Sequence, residues 1–393
     1  MKKLEKTSAK TILSLQYFIY FGVLGIYLPY FNLYCYHLGF KGVEIGVLSS
    51  VKTVTIIMFP MLWGAVADRF QARRPIYVAC NIVSTAIWAF YFLTENFYMM
   101  LIISIFYGVF HAPLISFLEA FSMDILGREK KKYGHIRVWG SINFIIVVTV
   151  VGWLIGLFSV KLVLVLIFSG SLLQALLSIK VPNIVMKRKH SFADQFNVIF
   201  EKRRVVFLVC AFLMLVSHGA YYGFFSIHLE ALGFGSAFIG FAWALASISE
   251  ILVMIKSDSI FKKFSINNVL AFSFTVAGAR WFFTAFAESG FSILLLQLLH
   301  AVTYGAFHIA SVLYIDRLMP EEAKTFGQAV NNSVTYGLGL SVGFVVSGYF
   351  FEKTGSAGLF MISGAVAVAA WPMFILYSKN VNKNEMNHKT SQQ

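Results

Sequence analysis

From its first residues onward the chain alternates long apolar stretches with short polar links. Twelve stretches reach or approach the roughly 20 residues that a helix needs to cross about 30 Å of hydrocarbon. They run over residues 11–34, 44–66, 75–93, 98–123, 135–157, 160–180, 205–229, 237–257, 267–286, 292–315, 326–350 and 357–378. Lipid offers backbone amides no partner, and no alternating strand pattern is present, so helices are the spanning structure expected. The pattern predicts an all-α membrane protein of twelve transmembrane helices, with no link long enough for a separate folded domain.

Composition strengthens this reading. The 393 residues are 58% hydrophobic and only 13% charged, against roughly 25% charged in soluble domains. Aromatic residues make up 17%, with 41 Phe, a supply suited to lipid contact. The first apolar run, residues 11–34, is too long for a signal-peptide core and is expected to remain as helix 1. Cys35, Cys80 and Cys210 lie in or beside apolar segments without metal-like spacing, and read as small packing residues.

The net charge of +14 raises the question of nucleic acid. The basic residues are not gathered on a module, however; they sit in the links. Lys and Arg concentrate in the N-terminal tail, in the links after helices 2, 4, 6, 8 and 10, and in the C-terminal tail. The other links hold only Lys41, Lys161 and Lys353. By the positive-inside rule both termini are expected in the cytoplasm, with no nucleic-acid partner.

The longest interior link, about residues 181–204, carries two basic clusters and divides the chain into a bundle over 1–180 and a second over 205–393. Its middle, SFADQFNVIF, has helical apolar spacing and suggests a short helix along the membrane interface, or else a plain linker. The halves are related internally. His37-Leu38-Gly39-Phe40 with Ile45-Gly46 matches Ala231-Leu232-Gly233-Phe234 with Ile239-Gly240 at an offset of 194. Tyr107-Gly108-Val109-Phe110-His111 likewise matches Tyr304-Gly305-Ala306-Phe307-His308. Duplication of this kind builds two bundles around a central site in many secondary transporters.

The link after helix 2 reads Gly64, Asp68, Arg69, Arg73, Arg74 in the pattern G-x-x-x-D-R-x-x-x-R-R, with Gln71 where a glycine is usual. It resembles the cytoplasmic signature of the major facilitator superfamily, which implies two pseudo-symmetric six-helix bundles and a conformational latch at this loop. Gly64 is expected to let helices approach closely, and Asp68 to accept hydrogen bonds. The equivalent loop of the second half, around Asp258 and Lys262-Lys263, is degraded. Within the superfamily the chain is most similar to the cluster of lactose permease, nucleoside symporters and phenylpropionate permease. Glu119 and Arg137, eighteen residues apart, resemble the acid–arginine pair that binds sugar in lactose permease. The stretch from Tyr133 through Trp139 to Asn143 resembles the cluster's helix 5. Glu250, Arg280 and His308 resemble residues that couple proton and substrate. Helix 10 carries no lysine or glutamate beside His308, so the complete relay of lactose permease does not transfer.

Charges at membrane depth are expensive and normally face a cavity or a partner. The deep candidates are Lys52, Glu119, Arg137, Glu250 and Arg280, with His111, His218 and His308. A carboxylate beside a guanidinium can hold hydroxyls or a carboxyl group; a salt bridge between helices 4 and 5 is the alternative. His111, Tyr107, Trp139, Asn143, Tyr221, Tyr222, Tyr304 and His308 complete the expected substrate set. Glu250 is the candidate proton carrier, with Arg280, His308 and Glu119 as possible partners. Lys52 either snorkels or pairs structurally.

The function these features imply is proton-coupled symport of a small organic solute, a sugar, nucleoside or aromatic acid, by alternating access. A monomer in a bacterial cytoplasmic membrane is expected. An exporter of drugs or metabolites uses the same architecture, but helix 5 lacks the G-x-x-x-G-P-x-x-G-G pattern. A membrane scaffold is the remaining alternative. No nucleophile elbow, P-loop, dinucleotide fingerprint or metal-spaced His/Cys set occurs, so neither enzyme activity nor a metal or other cofactor is expected.

Overall fold

A computed structural model describes residues 3–183 and 196–390. Within them the chain forms helices and no sheet. They are α1 (Lys3–His37), α2 (Gly42–Phe70), α3 (Arg73–Leu93), α4 (Phe97–Leu126), α5 (Tyr133–Leu157) and α6 (Leu162–Ser178). The second series is α7 (Lys202–Ala231), α8 (Ser236–Lys263), α9 (Ile266–Phe286), α10 (Gly290–Leu318), α11 (residues 324–354) and α12 (residues 356–390). Ten spans are long and apolar enough to cross a membrane; the last, Glu321–Leu376, divides at Gly355 into α11 and α12, and α6 is a shorter apolar helix. Of the interfacial helix expected over 191–200, only the single turn Phe196–Ile199 is seen, and residues 191–195 lie outside the described residues.

The helices pack into two compact units. One holds Met1–Lys189 with Tyr222–Ala244, the other His190–Tyr221 with Leu245–Gln393. The stretch Tyr222–Ala244, which a division at the linker leaves with the second half, thus packs with the first. Hydrogen bonds explain why. Asn32 Nδ2 donates to the Gly223 carbonyl at 3.0 Å, and Tyr30 Oη to the Val148 carbonyl at 2.8 Å and the Ser236 carbonyl at 3.4 Å. His37 Nε2 meets the Glu230 carboxylate at 2.7 Å and 3.0 Å.

Within the first unit α1 crosses α5 closely, and Asn143 Nδ2 donates to the Phe18 carbonyl at 2.7 Å. The α3–α6 contact is tied by Trp88 Nε1 to the Leu164 carbonyl at 3.1 Å. In the second unit α7 and α11 meet backbone to backbone. A Cβ on Gly219 would stand 2.3 Å from the Gly343 carbonyl carbon, so only glycine permits this approach.

The sequence repeat has a structural counterpart. Gly39 and Gly233 end α1 and α7 with φ of 84° and 88°. In each, the glycine amide donates back to residue 36 or 230, at 2.9 Å and 2.8 Å. The following Phe40 or Phe234 amide reaches residue 35 or 229, at 3.2 Å and 3.0 Å. This is the Schellman closure in which a left-handed glycine satisfies the last carbonyls of a helix. The two Leu-Gly-Phe triplets are therefore the same helix stop used twice.

Candidate functional site

Two polar clusters lie at membrane depth, one in each unit. In the first unit Glu119 on α4 and Arg137 on α5 are close enough for the guanidinium to act electrostatically on the carboxylate, without forming a direct ion pair. The Arg137 guanidinium lies 3.7 Å from the Phe21 ring centroid and 5.7 Å from that of Tyr17, both on α1. Glu119 is exposed although its neighbours Phe117 and Leu118 are buried, and its charge reaches Tyr17, Tyr20 and Tyr133. It therefore faces an open space lined by α1 rather than the packed core.

His111 continues this surface. Its ring stacks on Tyr107 at 4.7 Å and on Tyr20 at 5.5 Å. The structure thus brings Glu119, Arg137, His111 and Tyr107 together, as the sequence suggests. Two other members depart from that expectation. Asn143 is buried, its amide nitrogen bonded across the α1–α5 contact. Trp139 is 48% exposed and lies two positions beyond Arg137, about 200° around the helix. Trp139 does not share the face that holds Arg137, whereas Asn143 faces α1 as Arg137 does.

The second cluster is built around Arg280, fully buried on α9. Its Nη1 donates to His300 Nδ1 and to Thr303 Oγ1, both at 2.9 Å, and its Nη2 donates to Gln297 Oε1 at 3.0 Å. The guanidinium also lies 4.7 Å from the Tyr221 ring centroid and 4.5 Å from that of Trp281. On the other side of His300, Nε2 stands 3.8 Å from the Glu250 carboxylate of α8. Since arginine only donates, His300 Nδ1 must accept, which leaves the imidazole proton on Nε2, facing Glu250.

His300, Gln297 and Thr303 are not among the residues the sequence singled out. The partner of Arg280 is His300, and not His308, which bonds Tyr336 Oη at 2.6 Å through its Nδ1. A π-helical segment runs over Ala301–Ala306, between the two histidines. Such widened turns recur at functional sites. Here Tyr304 stacks between His300 and His308, at 5.1 Å and 6.3 Å with both ring pairs 10° from parallel. The available signal was the run Gln297, His300, Thr303 at spacings of three, which places polar groups on one helical face. Tyr221 and Tyr222 separate: Tyr221 belongs to the Arg280 cluster, while Tyr222 stacks near Trp243 in the first unit at 6.0 Å.

At the α2–α3 corner Arg73 Nη1 pairs with Asp124 Oδ2 at 2.5 Å, and Arg74 Nη2 donates to the Ile179 carbonyl at 2.6 Å. These contacts tie the corner to α4 and to the end of α6. Asp68 and Arg69 are exposed, and Asp68 forms no ion pair among the described residues. Gly64 does not serve a close helix approach here: a Cβ on it would meet nothing within 4 Å. Gln71 takes the left-handed conformation, φ 50°, that ends α2. That is the conformation the usual glycine of this motif supplies freely.

Among the described residues, apolar helices of membrane-spanning length enclose a buried, hydrogen-bonded arginine, the build of an integral membrane protein. Residues 10–362 match the model of the MFS_1 like family, and the chain belongs to that family of the major facilitator superfamily. It is similar over 91% of its length to the "Probable 3-phenylpropionic acid transporter" of Escherichia coli (strain K12), at 25% identity and with 95% of that protein covered. It is 21% identical to the maltose permease of Geobacillus stearothermophilus, over 94% of this chain and 95% of that one. The fold matches the crystal structure of the nucleoside transporter NupG with a TM-score of 0.85 at 20% identity, covering 94% of this chain and 98% of the other. The protein is thus a secondary transporter of a small organic solute and not an enzyme.

Proposed function

We propose that the chain is a proton-coupled symporter that imports its solute through alternating access. The observation that carries this reading is the line Glu250, His300, Arg280: a carboxylate at membrane depth, 3.8 Å from an imidazole that a buried arginine holds at 2.9 Å. The arginine orients the ring and keeps its proton toward Glu250, so a proton arriving at the carboxylate alters the charge beside His300 without moving the guanidinium. Glu250 is the proton carrier in this scheme, and Arg280 and His300 position it. Glu119, Arg137, His111 and Tyr107 supply the solute-binding face of the first unit, with His308, Tyr304 and Tyr221 doing so in the second. The loop Gly64, Asp68, Arg69, Arg73, Arg74 acts as the conformational latch.

The same reading places both termini in the cytoplasm of a bacterial cell, on the distribution of lysine and arginine, and has the monomer as the working unit. The relatives' names point to three solute classes: aromatic acid, sugar and nucleoside.

Proteoliposomes with an imposed pH gradient test the coupling. Labelled 3-phenylpropionate, maltose and uridine are offered in turn. One of them should accumulate when the outside is acidic. Glu250→Gln should abolish that accumulation while preserving exchange of solute across the membrane. Uptake indifferent to the gradient in both proteins would exclude proton coupling.

A further inference from the structure

The coupling scheme above leaves one deep charge in the first unit unused. Lys52 lies ten residues into α2 from Gly42, about 15 Å along the helix axis and so near mid-depth. Its ammonium sits 3.2 Å from the centroid of the Tyr27 ring. A ring face can hold a cation there, but it carries no charge to balance it. The acids of the unit are engaged elsewhere. Glu44 accepts from the Lys41 amide, Glu95 pairs with Lys161, Asp124 with Arg73, Glu129 with Lys10 and Lys132, and Glu230 with His37. Asp68 belongs to the α2–α3 corner. Glu119 lies within electrostatic reach of Arg137, without a direct ion pair. Among the described residues of this unit the deep ionisable groups are therefore two bases, Lys52 and Arg137, and one acid, Glu119. At membrane depth an unbalanced charge is costly unless something completes it.

The surroundings say what that something is. The Lys52 charge reaches His111, and Tyr27 and His111 are both only part-buried. They are backed by fully buried aromatics: Tyr27 meets Trp88 at 6.2 Å, Trp88 meets Tyr107 at 5.1 Å, and Tyr107 stacks under His111 at 4.7 Å. The result is an aromatic wall that begins at the ammonium and leads, through Tyr20 stacked on His111 at 5.5 Å, toward Glu119 and Arg137.

We propose that Lys52 anchors the carboxylate of an aromatic acid, whose ring lies along the face offered by Tyr27 and His111. The solute of this transporter is then an organic anion. A neutral sugar or nucleoside would offer the Lys52 amine no counter-charge, whereas a carboxylate would hold it as the ammonium. Lys52 selects the solute class, while Arg137 and Glu119 address whatever polar groups the far end of the molecule carries. The proposal rests on the solute-transport reading and narrows it.

Binding to the purified protein distinguishes acids from neutral isosteres. The probes are benzoate, 3-phenylpropionate and indole-3-acetate, each beside its amide, with uridine and maltose as uncharged references. At least one acid should bind about 10- to 100-fold more tightly than its amide, the range that a charge-assisted hydrogen bond supplies. Lys52→Gln should remove that preference, and Lys52→Arg, which keeps the charge in the fold, should retain most of it. Equal binding of acid and amide, or an acid preference that survives in Lys52→Gln, overturns the assignment. Binding of uridine or maltose with no acid bound overturns it too, while leaving solute transport intact. Acid uptake that ignores the pH gradient would instead remove the coupling scheme and leave the anion assignment standing.

Discussion

The indole of Trp63 on α2 donates to the carbonyl of Val109 on α4, Nε1 to O at 2.9 Å. Val109 is the residue whose carbonyl the amide of position 113 would bond in an unbroken helix, and Pro113 has no amide hydrogen to give. The Trp63 side chain thus supplies the hydrogen bond that the proline withholds. Trp63→Phe should cost about 1 kcal/mol or somewhat more by leaving a part-buried carbonyl unpaired. In a Pro113→Ala background the restored amide should take over, and the cost of Trp63→Phe should fall below about 1 kcal/mol. Unfolding in mixed micelles, read as a double-mutant cycle, measures the coupling; additive effects would show that the two residues do not serve one carbonyl.

A second expectation concerns the end of α2. Gln71 holds φ at 50° and recovers part of the strain through its Nε2, which donates to the Asp68 carbonyl at 2.8 Å. The left-handed region costs a non-glycine residue roughly 1–2 kcal/mol, and an exposed hydrogen bond returns less than that. Gln71→Gly should therefore stabilise the protein by about 0.5–1 kcal/mol. A loss of stability would mean that the side-chain bond outweighs the backbone strain.

Glycines of α2 and of the α7–α11 contact should respond oppositely to alanine. Gly219→Ala must push apart two backbones whose carbon atoms would come within 2.3 Å, and overpacking of this kind costs typically about 1–3 kcal/mol. Gly64→Ala meets open space and exchanges a poor helix former for a good one, a gain of up to about 1 kcal/mol. Thermal unfolding of the two variants in the same detergent compares them directly. Equal effects would show that the α7–α11 approach is looser than the backbone distances require.

Arg280→Lys tests whether the second cluster needs charge alone or the guanidinium fork. Two nitrogens of Arg280 serve three acceptors on α10, spread over His300, Thr303 and Gln297. An ammonium on a shorter reach cannot meet all three with the same directions. Gradient-driven accumulation should fall at least about tenfold, with stability reduced by about 1–3 kcal/mol as buried acceptors lose their donor. Full transport in Arg280→Lys would reduce the residue to a point charge and remove its role in fixing the His300 tautomer.

Much of this molecule was legible from residue order. The helix spans follow because hydrocarbon demands about twenty apolar residues per crossing and tolerates no open backbone. The Leu-Gly-Phe triplets marked the duplication in the sequence, and the structure showed each to be the same left-handed glycine helix stop. The grouping of Glu119, Arg137, His111 and Tyr107 was also within reach, because three share one helix or lie a short link away.

Tertiary structure decided what spacing along one helix cannot. His300 and not His308 stands level with Arg280, the two histidines being eight residues, about 12 Å, apart along α10. The bond of Asn143 to the Phe18 carbonyl exists only because α1 approaches α5 closely. Tyr222–Ala244 joined the first unit through carbonyls of Gly223 and Ser236, groups that every residue carries and no sequence marks. Lys52 was visible as a deep charge from the start. Only the packing revealed that each nearby acid already has other business, because pairing between distant helices is set by the three-dimensional approach of their surfaces.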